Sequence, residues 1–340
     1  MSRSPQTAPA RPEAEAGAVA AVRAGDEAAF ADLAESYRPE LQAHCYRMLG
    51  SFEDSEDLVQ ETFLRAWRRR ESFEGRSTFR AWLYRIATNA CLDAIDRRPR
   101  VQPRPMAQPL AEVPWLTPYP DELLEAIPSG EREPEAEVVA RETIELAFIA
   151  AIQFLPPKQR AVLILRDVLG WTAAESASLL DLSVAATNSA LQRARATLQR
   201  QLPRQRLEWG GGAEVSDEER ALLERYMEAV DQNDPDAMIP LLREDAVCSM
   251  PPQPEWHAGR EAIIAAWVEG GFGTETIGDF RCVAVNANRQ PAMACYLRRP
   301  GDDAYRPLAL DVLRIEDGRV AEVVVFGPDS FASFGLPATM

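Results

Sequence analysis

The sequence predicts a multidomain chain of two all-α domains followed by an α+β domain. Three observations predict it. Residues 18–98 and 135–202 repeat apolar side chains at three- and four-residue spacing between helix-capping residues. Residues 99–134 hold nine prolines and more acidic than basic side chains, the composition of a linker. Beyond Gly210-Gly211-Gly212 the pattern begins with helices and ends in strands of alternating polarity. The expected organisation is a disordered tail at 1–17, helical domains at 18–98 and 135–205, linkers at 99–134 and 206–214, and the α+β domain at 215–340.

Charge is distributed as unevenly as structure. The chain of 340 residues carries a formal net charge of −16, yet 63–100 is +6 and 156–206 is +5. Clustered cations suit phosphate neutralisation, so two basic blocks point to nucleic acid gripped at two places. From Glu214 onward the balance is −12. No run of eighteen apolar residues occurs, which argues against a membrane span. Five cysteines without a C-x-x-C pair, and only two histidines, suggest buried thiols in a reducing cytoplasm and no zinc site.

In the first basic block, Ser51 caps a helix from Phe52, with Asp54 placed to reciprocate. Leu58, Val59, Phe63, Ala66 and Trp67 make its apolar stripe. Glu56, Asp57, Gln60 and Glu61 stand on the other side, ahead of Arg68-Arg69-Arg70. A loop containing Phe73 and Gly75 leads into a second helix, whose expected outer face holds Arg80, Tyr84, Arg85, Thr88, Asn89, Asp93, Arg97 and Arg98. Cations interleaved with aromatics suit single-stranded DNA, whose bases stack on rings.

In the second block, Thr172 and Glu175 form a capping box, Asp181-Leu182-Ser183 makes a short turn, and Ser183 caps a further helix. Val184, Thr187, Leu191, Ala194 and Leu198 are assigned to its inner face. Asn188, Gln192, Arg193, Arg195, Gln199 and Arg200 lie outside. This is the pattern of a helix-turn-helix, with Asn188 and Gln192 placed to read adenine and Arg193, Arg195 and Arg200 to hold phosphates. Near the C-terminus, two alternating runs meet at Glu316-Asp317-Gly318-Arg319, a hairpin signal.

Asp54-Ser55-Glu56-Asp57-Leu58-Val59-Gln60-Glu61-Thr62-Phe63-Leu64-Arg65-Ala66-Trp67 and Phe79-Arg80-Ala81-Trp82-Leu83-Tyr84-Arg85-Ile86-Ala87-Thr88-Asn89 resemble region 2 of bacterial sigma factors of the sigma-70 family, extracytoplasmic-function group. Leu155-Pro156-Pro157-Lys158-Gln159-Arg160, with Leu191-Gln192-Arg193-Ala194-Arg195 after it, resembles region 4 of the same group. The resemblance implies a cytoplasmic promoter-recognition subunit without a cofactor, whose partners are core RNA polymerase and promoter DNA. By resemblance, Asp57, Gln60, Glu61 and Leu64 dock on the polymerase. Phe73, Arg80, Tyr84, Arg85, Thr88, Asn89 and Arg97 engage the melted minus-ten element, and Ser183, Asn188, Gln192, Arg193 and Arg195 the minus-thirty-five duplex. The family often has a Lys and an Arg where this chain has Asn188 and Ala190. The long acidic linker is expected to suit a basic channel of the polymerase.

Arg225-Tyr226-Met227-Glu228-Ala229-Val230-Asp231, His257-Ala258-Gly259-Arg260-Glu261-Ala262-Ile263 and Leu310-Asp311-Val312-Leu313-Arg314-Ile315 resemble the SnoaL-like and ketosteroid-isomerase superfamily. This implies an NTF2-like cone of helices on a curved sheet, with a ligand pocket drawing on Tyr226, Met250, Trp267 and Asp311. Tyr226 and Asp311 match the isomerases' two hydrogen-bond donors. Met250 stands at the position of the base, and a thioether cannot abstract a proton; Asp245 and His257 are the substitutes. The expectation is therefore a non-enzymatic domain that binds a small ligand or contacts the sigma regions within the chain. A one-component regulator sensing a small molecule is the alternative, although it has no use for the 57–67 motif. Reversing the charge of Asp57 and Glu61 to Lys is expected to weaken association with core polymerase about tenfold or more, measured by fluorescence anisotropy of the labelled chain.

Overall fold

The computed structural model describes residues 11–73, 75, 77–98, 113–127, 143–201 and 215–340. The first domain is built from α1 (Arg11–Arg23), α2 (Glu27–Leu49), α3 (Phe52–Arg68) and α4 (Phe79–Arg97). Helix α1 starts inside the segment expected to be a tail; residues 1–10 lie outside the described residues. The Asp26, Ser51 and Thr78 side chains cap α2, α3 and α4 by accepting main-chain N–H groups three residues on. The Asp54 carboxylate does not reciprocate the Ser51 cap; it pairs instead with Arg98.

Part of the expected linker is folded. Val113, Leu116 and Tyr119 are buried, and a short helix α5 (Asp121–Glu125) follows. Thr117 accounts for the position of this segment. Its N–H donates to Gly50 O (3.0 Å), and its hydroxyl accepts from Phe52 N (2.7 Å). Its carbonyl accepts from the Tyr46 hydroxyl (2.8 Å). The remainder of 99–134 and all of 206–214 lie outside the described residues.

The second domain comprises α6 (Leu146–Gln153), α7 (Pro157–Leu163), α8 (Ala173–Leu179) and α9 (Val184–Gln201). The capping box of Thr172 and Glu175 is formed, with both reciprocal bonds present. Asp181 takes a left-handed φ of 52° in the turn before α9. This domain is joined to the first by a buried guanidinium. Arg160 donates to Met48 O, one of the final carbonyls of α2, and to Gln153 Oε1 (2.6 Å). Gly50, which ends α2 at φ 72°, is needed for the same contact, because a Cβ there would stand 3.2 Å from the Gln153 side chain.

The C-terminal domain packs α10 (Asp217–Asp231), α11 (Pro235–Met238) and α12 (Arg260–Glu269) against a six-stranded sheet of order β2-β1-β6-β5-β4-β3. The strands are β1 (Leu242–Ser249), β2 (Trp256–Ala258), β3 (Asp279–Ala287), β4 (Gln290–Arg298), β5 (Arg306–Glu316) and β6 (Arg319–Phe326). All neighbours are antiparallel except β1 and β6. The Asp-Gly hairpin joins β5 to β6 with Asp317 and Gly318 both at positive φ, as a primed turn requires. Strand β4 is buried from Gln290 through Leu297 because both faces of the sheet are covered. Met293, Cys295 and Leu297 face the helices of their own domain. Ala292, Ala294 and Tyr296 belong instead to the apolar core shared with the two helical domains.

The tip of the β3–β4 hairpin locks these bodies together. Asn288 and Arg289 turn the chain at φ 57° and 59°. The Asn288 side chain donates to the Tyr46 hydroxyl of α2 (2.9 Å) and to Ile144 O ahead of α6 (2.6 Å). Its Oδ1 accepts from Tyr119 N of the linker (2.8 Å), and its own N–H donates to Tyr119 O (2.9 Å). Asn288, Tyr46, Tyr119 and Ile144 are all wholly buried. One amide thus ties together the first domain, the linker and the second domain. Gln290 adds a parallel tie by accepting from Leu146 N (3.1 Å) and donating to Leu313 O (3.3 Å). Replacing Asn288 by glycine keeps the left-handed turn and removes only the side chain. Each buried partner left unsatisfied costs about 1–3 kcal/mol, so the Tyr119 and Leu146 amides are expected to exchange hydrogen about tenfold or more faster in N288G.

Candidate functional site

The residues assigned to polymerase docking lie together on one face of α3. Asp57, Gln60 and Leu64 are exposed, and Glu61 is half-buried and bonded to Arg65 (2.7 Å). Leu64 is 52% exposed, unusual for a leucine on a folded helix. It edges a shallow groove of about 410 Å³ floored by Phe30, Phe63 and Trp67. Acidic and amide side chains beside an uncovered leucine form a surface suited to a basic protein partner with an apolar centre.

The minus-ten residues are arranged differently from the expectation of an open face. Phe73 is buried, with its ring 5.7 Å from Phe79 and 5.3 Å from Trp82. Tyr84 is wholly buried between His44 (4.9 Å) and Trp171 of the second domain (5.3 Å). Thr88 is buried as well, hydrogen-bonded through Oγ1 to His44 Nε2 (2.9 Å). Burial, with the Arg47 and Arg80 charges, pushes His44 down to about 3, so the ring is neutral. Arg80 pairs with Glu40 (2.8 Å), and Arg85 with Asp181 in the turn of the helix-turn-helix (2.7 Å). Asn89 and Arg97 remain exposed. Tyr84 and Thr88 therefore do not stand on an outer face. The physical reason is that both side chains pack against His44 of α2 within the first domain, and Trp171 ahead of α8 covers Tyr84 from the second.

On the recognition helix α9, Ser183 Oγ accepts from Ala186 N (3.1 Å) and caps the first turn. Asn188, Gln192 and Arg193 are exposed, as the pattern required. Arg195 is also exposed but is held by Asp167 through two bonds of 2.6 and 2.8 Å, so it is already neutralised within its own domain. Spacing assigns Val184 to the inner face, whereas at the first position of α9 it is 46% exposed.

In the C-terminal domain, Tyr226, Met250, Trp267 and Asp311 line a single cavity of about 700 Å³, with Met238, Phe272, Phe280 and Met293 supplying much of the apolar wall. Tyr226 donates its hydroxyl to Asp311 Oδ2 (3.1 Å). Burial pushes Asp311 up to about 7, against the lowering effect of that bond. Of the two substitutes for a base, His257 lines the cavity, whereas Asp245 is bound bidentately by Arg243 (2.8 and 2.9 Å) and does not. The arrangement is a largely apolar chamber holding the Tyr226–Asp311 pair, with His257, Glu269, Thr276 and Arg299 also in its lining. Among the described residues no cluster of His, Cys, Asp and Glu could hold a metal, and no helix is long and apolar enough to cross a membrane.

Comparison with known proteins follows the same division. The Sigma-70 region 2 model matches residues 33–101, the Sigma-70 region 4 model residues 145–198, and the SnoaL-like domain model residues 223–323. The extracytoplasmic-function RNA polymerase sigma factor SigG of Mycobacterium tuberculosis is 43% identical over 332 residues, spanning 94% of this chain and 86% of the relative. The chain belongs to the extracytoplasmic-function sigma factors.

SigW of Bacillus subtilis is 32% identical to this sigma factor over 184 residues, covering 53% of the chain and 92% of SigW. The crystal structure of the M. tuberculosis extracytoplasmic-function sigma factor SigJ shares its fold, with a TM-score of 0.55 at 22% identity over 91% of this chain and 99% of that one. A sigma factor is a transcription initiation factor and not an enzyme, in keeping with a thioether at the position of the isomerase base. Sequence reasoning missed Asn288 and Arg160 as the residues that join the domains. Asn288-Arg289 between alternating runs was a legible turn signal, but its burial was not.

Asp311 takes up its proton more readily in the folded domain than in the unfolded chain. Its stabilising contribution is full below about pH 4 and is lost as pH rises through about 7. Asp311→Asn should remove that dependence, so the stability difference between variant and parent is expected to grow in favour of the variant by about 2–4 kcal/mol from pH 5 to pH 8. Denaturant unfolding followed by Trp fluorescence checks this.

Proposed function

We propose that this sigma factor binds core RNA polymerase through the Asp57, Gln60, Glu61 and Leu64 face, and places α4 on the minus-ten element and α9 on the minus-thirty-five element. The form described here is a closed one, in which the C-terminal domain restrains the other two. The observation that carries the second part is the contact of Arg85 and Tyr84 with Asp181 and Trp171. Elements centred ten and thirty-five bases upstream are separated by roughly 25 base pairs, about 85 Å along a duplex. The turn leading into α9 touches α4 directly, so both elements cannot be held in this arrangement. Region 4 must leave region 2 before the promoter is engaged.

The Asn288 hairpin is the restraint, because it holds region 2, the linker and region 4 by one buried side chain. The acidic charge of the C-terminal domain is complementary to the basic blocks at 63–100 and 156–206 within the other two domains. The cavity of Tyr226, Met250, Trp267 and Asp311 supports a role in binding a small apolar ligand, and β4 forms part of both the cavity wall and the hairpin. The same reading places the protein in the cytoplasm, where its polymerase is.

Transcription in vitro with core polymerase tests the proposal, comparing the full chain with a chain ended at Gln205 and with N288G. Both altered chains are expected to give several-fold more transcript. Equal or lower transcript from both, with polymerase association unchanged, would remove the restraining role from the C-terminal domain.

A further inference from the structure

We propose that Val184 reads the methyl group of a thymine in the upstream promoter element, and that the first two turns of α9 select A·T pairs. The inference rests on the assignment of α9 to duplex DNA made above. Among the described residues few large apolar side chains are exposed, and in the two sigma domains these are Leu64 and Val184. Leu64 lies on the face assigned to polymerase. Val184 is the first residue of the recognition helix, where docking in a major groove brings side chains to base edges.

Helical geometry places Val184, Asn188 and Gln192 on one stripe at i, i+4 and i+8. All three are exposed, as are Ala185, Ala186 and Ser189 around them. No charged side chain occurs between Val184 and Gln192. Bidentate recognition of guanine by Arg or Lys is therefore absent from these turns. The groups that are present match the edges of A·T pairs. A carboxamide pairs with adenine N6 and N7, and the only apolar feature a base pair offers in the major groove is the thymine C5 methyl. A valine in that groove is satisfied by a methyl and gains nothing from the polar edge of a G·C pair. Cations that hold phosphate are supplied from outside the stripe, by Arg193 among others, so grip and reading are divided between adjacent faces of one helix.

The occupant is therefore a duplex major groove with a thymine opposite the first turn of α9. The test uses holoenzyme formed from the full chain and core polymerase, with a duplex selected from a pool randomised upstream of the start site. Each thymine of the selected upstream element is replaced in turn by deoxyuridine, which removes the methyl and nothing else. The parent chain is expected to lose about threefold to fivefold in affinity at one thymine, the scale of one buried methyl group. Val184→Ser, which removes both γ-methyl groups at an exposed position, is expected to lose less than twofold at the same position. If no deoxyuridine substitution changes affinity while Arg193→Ala weakens binding, α9 lies on DNA but does not read a methyl, and the inference falls alone. If neither change affects binding, α9 is not on the duplex, and the assignment beneath it falls as well.

Discussion

A single buried carboxamide sets the arrangement of this molecule. Asn288 has two side-chain donors, a side-chain acceptor and a main-chain N–H, and each finds a partner in a segment outside its own domain. Buried polar groups are costly when unpaired and directional when paired. The geometry of the knot therefore specifies where Tyr46, Tyr119 and Ile144 must lie relative to one another. The apolar contacts around it, from Ala292, Ala294 and Tyr296 of β4 to the helical core, supply burial without direction. The amide supplies the direction.

Under the proposed function, one surface of the sigma regions has two uses. The side of α4 whose aromatics and cations suit DNA is, in the closed form, an interface with region 4. Tyr84 and Trp171 meet there with tilted rings and Arg85 meets Asp181. Among the described residues nothing covers the face around Leu64 in this way. Under the proposed function, polymerase can be approached while the DNA face is still occupied, and the charge pair that shields Arg85 is exposed enough to be exchanged for phosphate at little cost.

Much of this was legible in the residues. Ser51, Thr172 and Ser183 announced their helices because caps act within one turn of chain, and Asp317-Gly318 announced its hairpin because few residues tolerate positive φ. The four residues assigned to the C-terminal pocket do share one cavity. What could not be read was burial or pairing imposed by segments distant in the chain. Thr88 is polar and Tyr84 amphipathic, so periodicity placed both outward. Arg195 counts as a free cation until Asp167, twenty-eight residues earlier, is brought beside it. Val184 fitted the inner stripe by spacing alone, yet as the first residue of its helix it is exposed. Asn288 carries no local signature of its three partners, since each lies more than a hundred residues away.

Arg160 extends the logic to how the closed form gives way. Its guanidinium fills the space at the end of α2, giving its protons to Met48 O and to Gln153. Burial and the nearby Arg98 charge push it down to about 9, yet it stays ionised at neutral pH. Drawing that cation out strands carbonyls in an apolar pocket until solvent floods in behind it. Under the proposed opening, the two helical domains part as a wetting event, with a threshold, rather than by a gradual drift apart.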